Sequence, residues 1–328
     1  MSADGSALGA RLRERDLGAA PAALNLLEST AAEDREQSRM LLRAVSAQGA
    51  AGEAPGHVIG ITGPPGAGKS TLLSALLRRW RGAGHTVAML AMDPSSRRSG
   101  GALLGDRARI EFDAADGGVF IRSTSAGERL GGLAWGTRAA AEALAYAFAI
   151  VVIETVGVGQ AETEVADVAD TVAVVVPPGG GDVLQFYKAG IMEIPDVVVV
   201  SKADMGASAM RTQRELGAAL RSLGSASTPV LAVSALAPTS GVEELIEALE
   251  RHRAASDVAA RRVRARRASA LADYVREHGE RGLRALGGRR AAERLLEEQE
   301  ARLDTGALVS LLEHAAAGDG AARAETQP

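Results

Sequence analysis

The stretch Gly63-Pro64-Pro65-Gly66-Ala67-Gly68-Lys69-Ser70 has the residue types and spacing to hold a nucleotide phosphate. It fits G-x-x-x-x-G-K-[ST], the phosphate-cradling loop. Glycines there let backbone N–H groups converge on an anion with no Cβ in the way. Lys69 would reach the β- and γ-phosphates, the Ser70 hydroxyl would take a place on Mg²⁺, and Thr71 completes the nucleotide-binding stretch. The flanks argue against a chance Gly/Pro turn. HVIGIT at 57–62 is a short, β-branched run that reads as a buried strand, and Leu72, Leu73, Leu76 and Leu77 recur at helical spacing up to Trp80.

Further carboxylates and glycines follow at the ends of later strand-like runs. Asp93 closes the second of them, where ligands of parallel sheets sit, and Asp106 lies in the glycine-rich loop beyond. Either could hold Mg²⁺, directly or through water, or orient the attacking water; a strand-ending Asx turn and a solvated loop charge are the plain alternatives. Glu154 ends a buried run and is followed by Gly157 and Gly159. It suits the second acid of a phosphate-loop site, Gly157 could bring a backbone N–H to the γ-phosphate, and Gln160 could position water. Gly179-Gly180-Gly181-Asp182, with Gln185 and Lys188 beyond, reads equally as a connection or as a switch. Ser201-Lys202-Ala203-Asp204 is the base-reading candidate. A carboxylate accepts from both N1–H and the N2 amine of guanine, a donor pair that adenine lacks. The Lys202 stem would lie on the purine face, and Ser234-Ala235 could offer a backbone N–H to the base oxygen.

These residues need a sheet with its strand ends gathered on one edge. Strand-like runs near 58–62, 86–93, 119–122, 150–154, 172–176, 197–201 and 230–234 alternate with helical patterns, which predicts a mostly parallel, helix-covered sheet. Helices are expected over 1–55, a nucleotide-binding domain over 56–250, and a helical extension over 251–328 whose last stretch, AAGDGAARAETQP, reads as disordered. In that extension Leu271, Tyr274, Val275, Leu283 and Leu286 have no strand to cover, which predicts burial against a second copy. Arg261, Arg262, Arg264, Arg266 and Arg267 read as a solvated helix face or a partner surface rather than a nucleic-acid contact.

Composition narrows the classes. The chain has 328 residues, 46% hydrophobic but only 3% aromatic, so alanine and aliphatic side chains must fill the core. A net charge of −4 gives no drive toward nucleic acid or anionic membrane. With no cysteine, disulfides and thiolate metal sites are excluded. No apolar run is long enough to span a bilayer and the N-terminus lacks a signal-peptide core, so a cytoplasmic location is expected. Five scattered histidines weigh against a nickel-delivery site, and the partial D-x-H-x-x-G pattern at His57 lacks its Asp, since position 55 is Pro.

The chain resembles the MeaB/ArgK-type P-loop GTPases, the family that includes the methylmalonic aciduria type A protein. The matching blocks are GPPGAGKST (63–71), DPSSRRSGGALLGD (93–106), FIRSTSAGERLGG (120–132), ETVGVGQAE (154–162), PPGGGDVLQFYKAGIMEIPD (177–196) and SKAD (201–204). The resemblance implies an α/β fold, a mostly parallel sheet flanked by N-terminal helices and a C-terminal dimerisation arm. It implies a GTPase that chaperones an adenosylcobalamin-dependent acyl-CoA mutase, with cobalamin met only through that partner and a cobalamin adenosyltransferase as a further candidate partner. Lys69, Ser70, Asp93, Asp106 and Glu154 become the phosphate, Mg²⁺ and hydrolysis set, Asp204 the guanine reader, and 177–188 a third switch. The base motif usually opens with Asn where Ser201 stands, which predicts weakened guanine affinity. A transport-type kinase using ATP or GTP is the competing reading of similar sequences.

Overall fold

In the computed structural model, which describes residues 4–29, 31–46, 56–93, 110–125, 135–155, 164–179 and 194–324, the apolar runs pair into one parallel sheet. Its strands are β1 (His57–Thr62), β2 (Val87–Asp93), β3 (Val119–Ser125), β4 (Ile150–Glu154), β5 (Thr171–Val176), β6 (Val197–Val200) and β7 (Val230–Ala232). They lie in the order β3-β2-β4-β1-β5-β6-β7. The expected runs and the observed strands differ only at their ends, because ladder bonds rather than apolar composition decide where a strand stops. β1, β4, β5 and β6 are buried along their whole length, which is why they read as unbroken Val/Ile runs.

Alternation along each strand sorts these side chains between two layers. Val58, Ile153, Val174 and Val198 face α1 (Gly5–Arg13), α2 (Ala20–Glu28), α3 (Ala32–Ser46), α5 (Trp135–Ala147) and α6 (Ala207–Ser222). Ile59, Ile61, Val152, Val175 and Val199 face α4 (Lys69–Gly82) and α7 (Val242–Ala255). The N-terminal helices therefore share one core with the sheet.

Beyond α7 come α8 (Val258–Ala285), broken at Gly279, α9 (Arg289–Glu297) and α10 (Thr305–Ala324). They bear on three expectations. Leu271, Tyr274 and Leu283 are buried, and Val275 and Leu286 half-buried, against Ala292, Leu296, Leu308 and Leu312 of the same chain. The apolar face expected to meet a second copy is thus covered by α9 and α10, a packing that local periodicity cannot reveal. The stretch from 316 expected to be disordered is helical as far as Ala324, because α10 carries it on from an anchored first half.

Four arginines of the run turn to partners within the chain instead of to solvent or another protein, while Arg264 is exposed as expected. Arg262 spans both oxygens of Asp170, at 2.9 and 2.6 Å, and Arg261 spans Asp196 at 2.8 and 2.9 Å. Arg266 donates to Ala301 O and Leu303 O, and Arg267 to Glu297 O and Gln299 O. The reason is tertiary. α8 crosses the N-terminal ends of β5 and β6, where Asp170 and Asp196 already cap the backbone amides of Val58 and Val172. Behind them lies a partly buried chain of polar contacts: His57 Nε2 to Thr171 Oγ1 (2.8 Å), Thr171 Oγ1 to His252 Nδ1 (2.9 Å) and His252 Nε2 to Asp196 Oδ1 (3.1 Å). Burial pushes the His57 imidazole down to about 3, against the pull of Asp170 and helped by Arg253 and Arg262. Burial raises the Asp196 carboxyl, but hydrogen bonds from His252, Arg261 and the Val172 amide outweigh it and bring it down to about 2. His57 thus belongs to a structural network, in keeping with the missing Asp of the partial pattern around it.

Candidate functional site

β1 lies at the middle of the sheet, and the loop after it turns at the C-terminal edge between β4 and β5. Gly63 sits at φ +145°, and a Cβ there would come within 2.1 Å of Val175 O, so only glycine lets the loop leave β1 along β5. Gly68, at φ +87°, turns the chain into α4, whose first residue is Lys69. The loop's amides therefore converge at a helix N-terminus, the ordinary geometry of an anion site. Lys69 is buried, and its ammonium donates to Gly63 O (2.7 Å) and Pro64 O (3.2 Å), which holds the cation over the loop. One residue on, the Ser70 hydroxyl lies 3.4 Å from Glu154 Oε1.

Glu154 reaches Ser70 because of register. It ends β4 opposite Ile61 of β1, on the face that carries α4, and is 4% exposed. A hydroxyl beside a buried carboxylate, under a glycine-rich cradle with a fixed lysine, is a set of hard oxygen donors and anion contacts. It fits a phosphate chain carrying Mg²⁺. Asp93 ends β2, two strands from β1 on the same edge, and its side chain lies outside the described residues, as do Asp106, Gly157, Gln160, Gly180, Gly181, Asp182, Gln185 and Lys188. Gly179 is described: it is exposed at φ +81°, and its amide donates to Thr212 Oγ1 of α6 at 3.2 Å.

The base-reading candidates meet at the ends of β6 and β7. Lys202 adopts a left-handed conformation, φ +51°, and its Nζ donates to Gly66 O (3.0 Å), which ties this loop to the phosphate loop. Asp204 is exposed, and one of its oxygens accepts from Ser234 Oγ at 3.0 Å. Ser234 thus contributes its hydroxyl. Its amide is bonded to Ser240 O (2.9 Å), which leaves the expected base-oxygen contact of the Ser234-Ala235 pair to Ala235. Ser201 is buried, and both its amide and its hydroxyl donate to Val176 O (3.0 and 3.3 Å). In place of an asparagine amide, the loop is tied by Ala203 N to Val233 O (3.1 Å), by Ser234 and by Lys202. No local signal in the sequence announces the Ser234–Asp204 bond, because thirty residues separate the partners. Among the described residues one group has metal-ligand spacing, Glu277, His278 and Glu313, but Arg35 and Arg39 pair with its carboxylates.

The model of a protein family described as "Methylmalonyl Co-A mutase-associated GTPase MeaB" matches residues 20–285. The chain belongs to the MeaB family. A putative GTPase of Pyrococcus abyssi is 42% identical to this MeaB-family chain over 252 residues, covering 74% of each. The mitochondrial methylmalonic aciduria type A homolog of Mus musculus is 40% identical over 213 residues, which are 61% of this chain and 51% of that one. Among solved structures, a LAO/AO transport system kinase superposes with a TM-score of 0.63 at 27% identity, over 94% of this chain and 96% of that one. The MeaB-family chain is a GTPase on the α/β P-loop fold, as its sequence blocks imply. Among the described residues no helix is long and apolar enough to cross a membrane.

Proposed function

We propose that this GTPase is a chaperone of an adenosylcobalamin-dependent acyl-CoA mutase, gating cofactor loading and protecting or rescuing the enzyme. The observation that carries this reading is membership of a family described as methylmalonyl-CoA mutase-associated. In the reaction, water attacks the γ-phosphorus of GTP, the bond to the β–γ bridging oxygen breaks, and GDP, phosphate and a proton leave. Residues 63–71 wrap the phosphates, with Lys69 set against the negative charge that grows on the transferred group. Ser70 and Glu154, with Asp93 and Asp106, form the Mg²⁺ and hydrolysis set; the ion, when bound, neutralises charge on the β- and γ-phosphate oxygens. Gly157 meets the γ-phosphate. Asp204 selects guanine, on a loop built by Ser201, Lys202, Ser234 and Ala235. Gly179, Gly180, Gly181, Asp182, Gln185 and Lys188 relay the nucleotide state to the mutase.

A cobalamin adenosyltransferase belongs to the same expected set of partners, and the cytoplasm is the expected compartment. A homodimer also belongs to this reading through the family resemblance, by a surface other than the apolar face of α8, which α9 and α10 cover. The likeness to a LAO/AO transport system kinase supports a second reading, a kinase that passes phosphate to a small acceptor. One measurement separates the two: phosphate release from GTP and from ATP, with and without a cobalamin-dependent mutase. The chaperone reading expects a GTP preference and a rate raised by the mutase. Phosphate transferred to arginine or ornithine, with no response to any mutase, would overturn it.

A further inference from the structure

Thr62 and Thr155 stand outside the set just assigned, yet they hold two of its parts together. Thr62 is the last residue of β1, before Gly63, and Thr155 follows Glu154 at the end of β4. Both are fully buried, and the Thr155 hydroxyl donates to Thr62 Oγ1 at 2.7 Å. The register explains the meeting. Ile61 and Glu154 are paired residues whose side chains point to the α4 layer, so the next residue on each strand points to the opposite layer. The backbone ladder makes one further bond, Thr155 N to Ile61 O at 3.0 Å. Past that bond β1 swings away toward β5 through Gly63, and the hydroxyl pair is the side-chain tie where the two strand ends part.

We propose that Thr62 and Thr155 are positioning residues for hydrolysis: their hydroxyl bond clamps the back of the sheet so that Glu154 and Ser70 keep their spacing on the front. This rests on the assignment of Glu154 and Ser70 to the Mg²⁺ site. A carboxylate at a strand end can swing with the last peptide plane, and a displacement near 1 Å at a reacting site costs about a hundredfold in rate. The tie removes that freedom without touching nucleotide.

A cycle of valine substitutions separates positioning from plain packing. Valine keeps the threonine shape, so T62V or T155V alone leaves one buried hydroxyl unpartnered and lowers the melting temperature, whereas T62V/T155V removes both polar groups and regains it. If the pair positions Glu154, the double variant stays impaired after stability returns. We expect kcat down about tenfold with the KM for GTP within about threefold. Mg²⁺ should also slow the release of fluorescent GDP less than in the wild type, a reading that needs no turnover. Thr155→Ser, which keeps the hydroxyl, should behave as wild type.

A double variant with wild-type kcat and wild-type Mg²⁺ dependence of GDP release would overturn the inference. So would a Thr155→Ser variant as impaired as T155V, which would assign the effect to the methyl group. Glu154→Gln is the control for the underlying assignment: if it hydrolyses GTP and responds to Mg²⁺ like the wild type, the role given to Glu154 fails, whatever the threonines do.

Discussion

For the guanine-reading role proposed for Asp204, the chemistry of a carboxylate gives a sharp prediction. It accepts from guanine N1–H and N2–H₂ and can donate to neither. Asparagine at 204 keeps one acceptor and turns an NH₂ toward the guanine amine, a clash of donors that costs about 1–3 kcal/mol. Xanthine has a carbonyl there. Asp204→Asn should weaken GTP binding by roughly ten- to a hundredfold and favour XTP, while the phosphate site keeps its hydrolytic rate on XTP. Competition binding checks this, and a variant that still prefers GTP would show that Asp204 does not read the base. Lys69 makes a second case. Its ammonium is held over the loop by Gly63 O and Pro64 O, so Lys69→Ala removes a prepositioned charge rather than a mobile one. Phosphate release should fall on the order of a hundredfold or more. Near wild-type turnover would remove Lys69 from the mechanism.

Among the elements, α8 is held by partners distant in sequence. Arg262 is fixed to Asp170, whose side chain is only 1% exposed, and also donates to Gly56 O at 2.6 Å. A buried carboxylate that loses its cation is left uncompensated, which typically costs about 3–5 kcal/mol. Arg262→Ala should therefore shift urea unfolding to markedly lower concentration. A midpoint unchanged from wild type would mean that neighbouring Arg253 and Arg261 satisfy Asp170 without it. The same geometry explains why the arginine run misleads as sequence: spaced arginines on an alanine-rich helix look solvated until the strand ends beneath them are known.

Over the whole molecule, the polar network under the sheet predicts acid lability. The folded His57 is pushed down to about 3 from 6.5, among Asp170, Arg253, Arg262, His252 and Thr171. Between those two values the unfolded chain binds a proton that the folded chain refuses, so stability falls as pH drops from 6.5 toward 3. The loss amounts to a few kcal/mol. Asp196 acts in the next window: its stabilisation is complete above 3.8 and is lost as pH falls through about 2. His57→Gln should flatten the acid limb of a stability–pH curve between 6.5 and 3 and leave the part below 3.8 due to Asp196. An acid limb as steep as the wild type's would place the lability elsewhere.

Much of this was legible in the chain alone, because some constraints are local. The phosphate loop needs glycine at fixed offsets from a lysine. β1 and β5 need unbroken β-branched runs once both their faces are covered, so their positions, and the edge on which Lys69, Glu154 and Asp204 gather, follow from pattern. Other features depend on which strands lie side by side, which no window of sequence contains. Ser234 meets Asp204, Lys202 meets Gly66, and Thr62 meets Thr155 only once the order β3-β2-β4-β1-β5-β6-β7 is set. The apolar positions of α8 were readable as needing cover. That α9 and α10 cover them within the chain was decided by the tertiary packing of three amphipathic helices against one another.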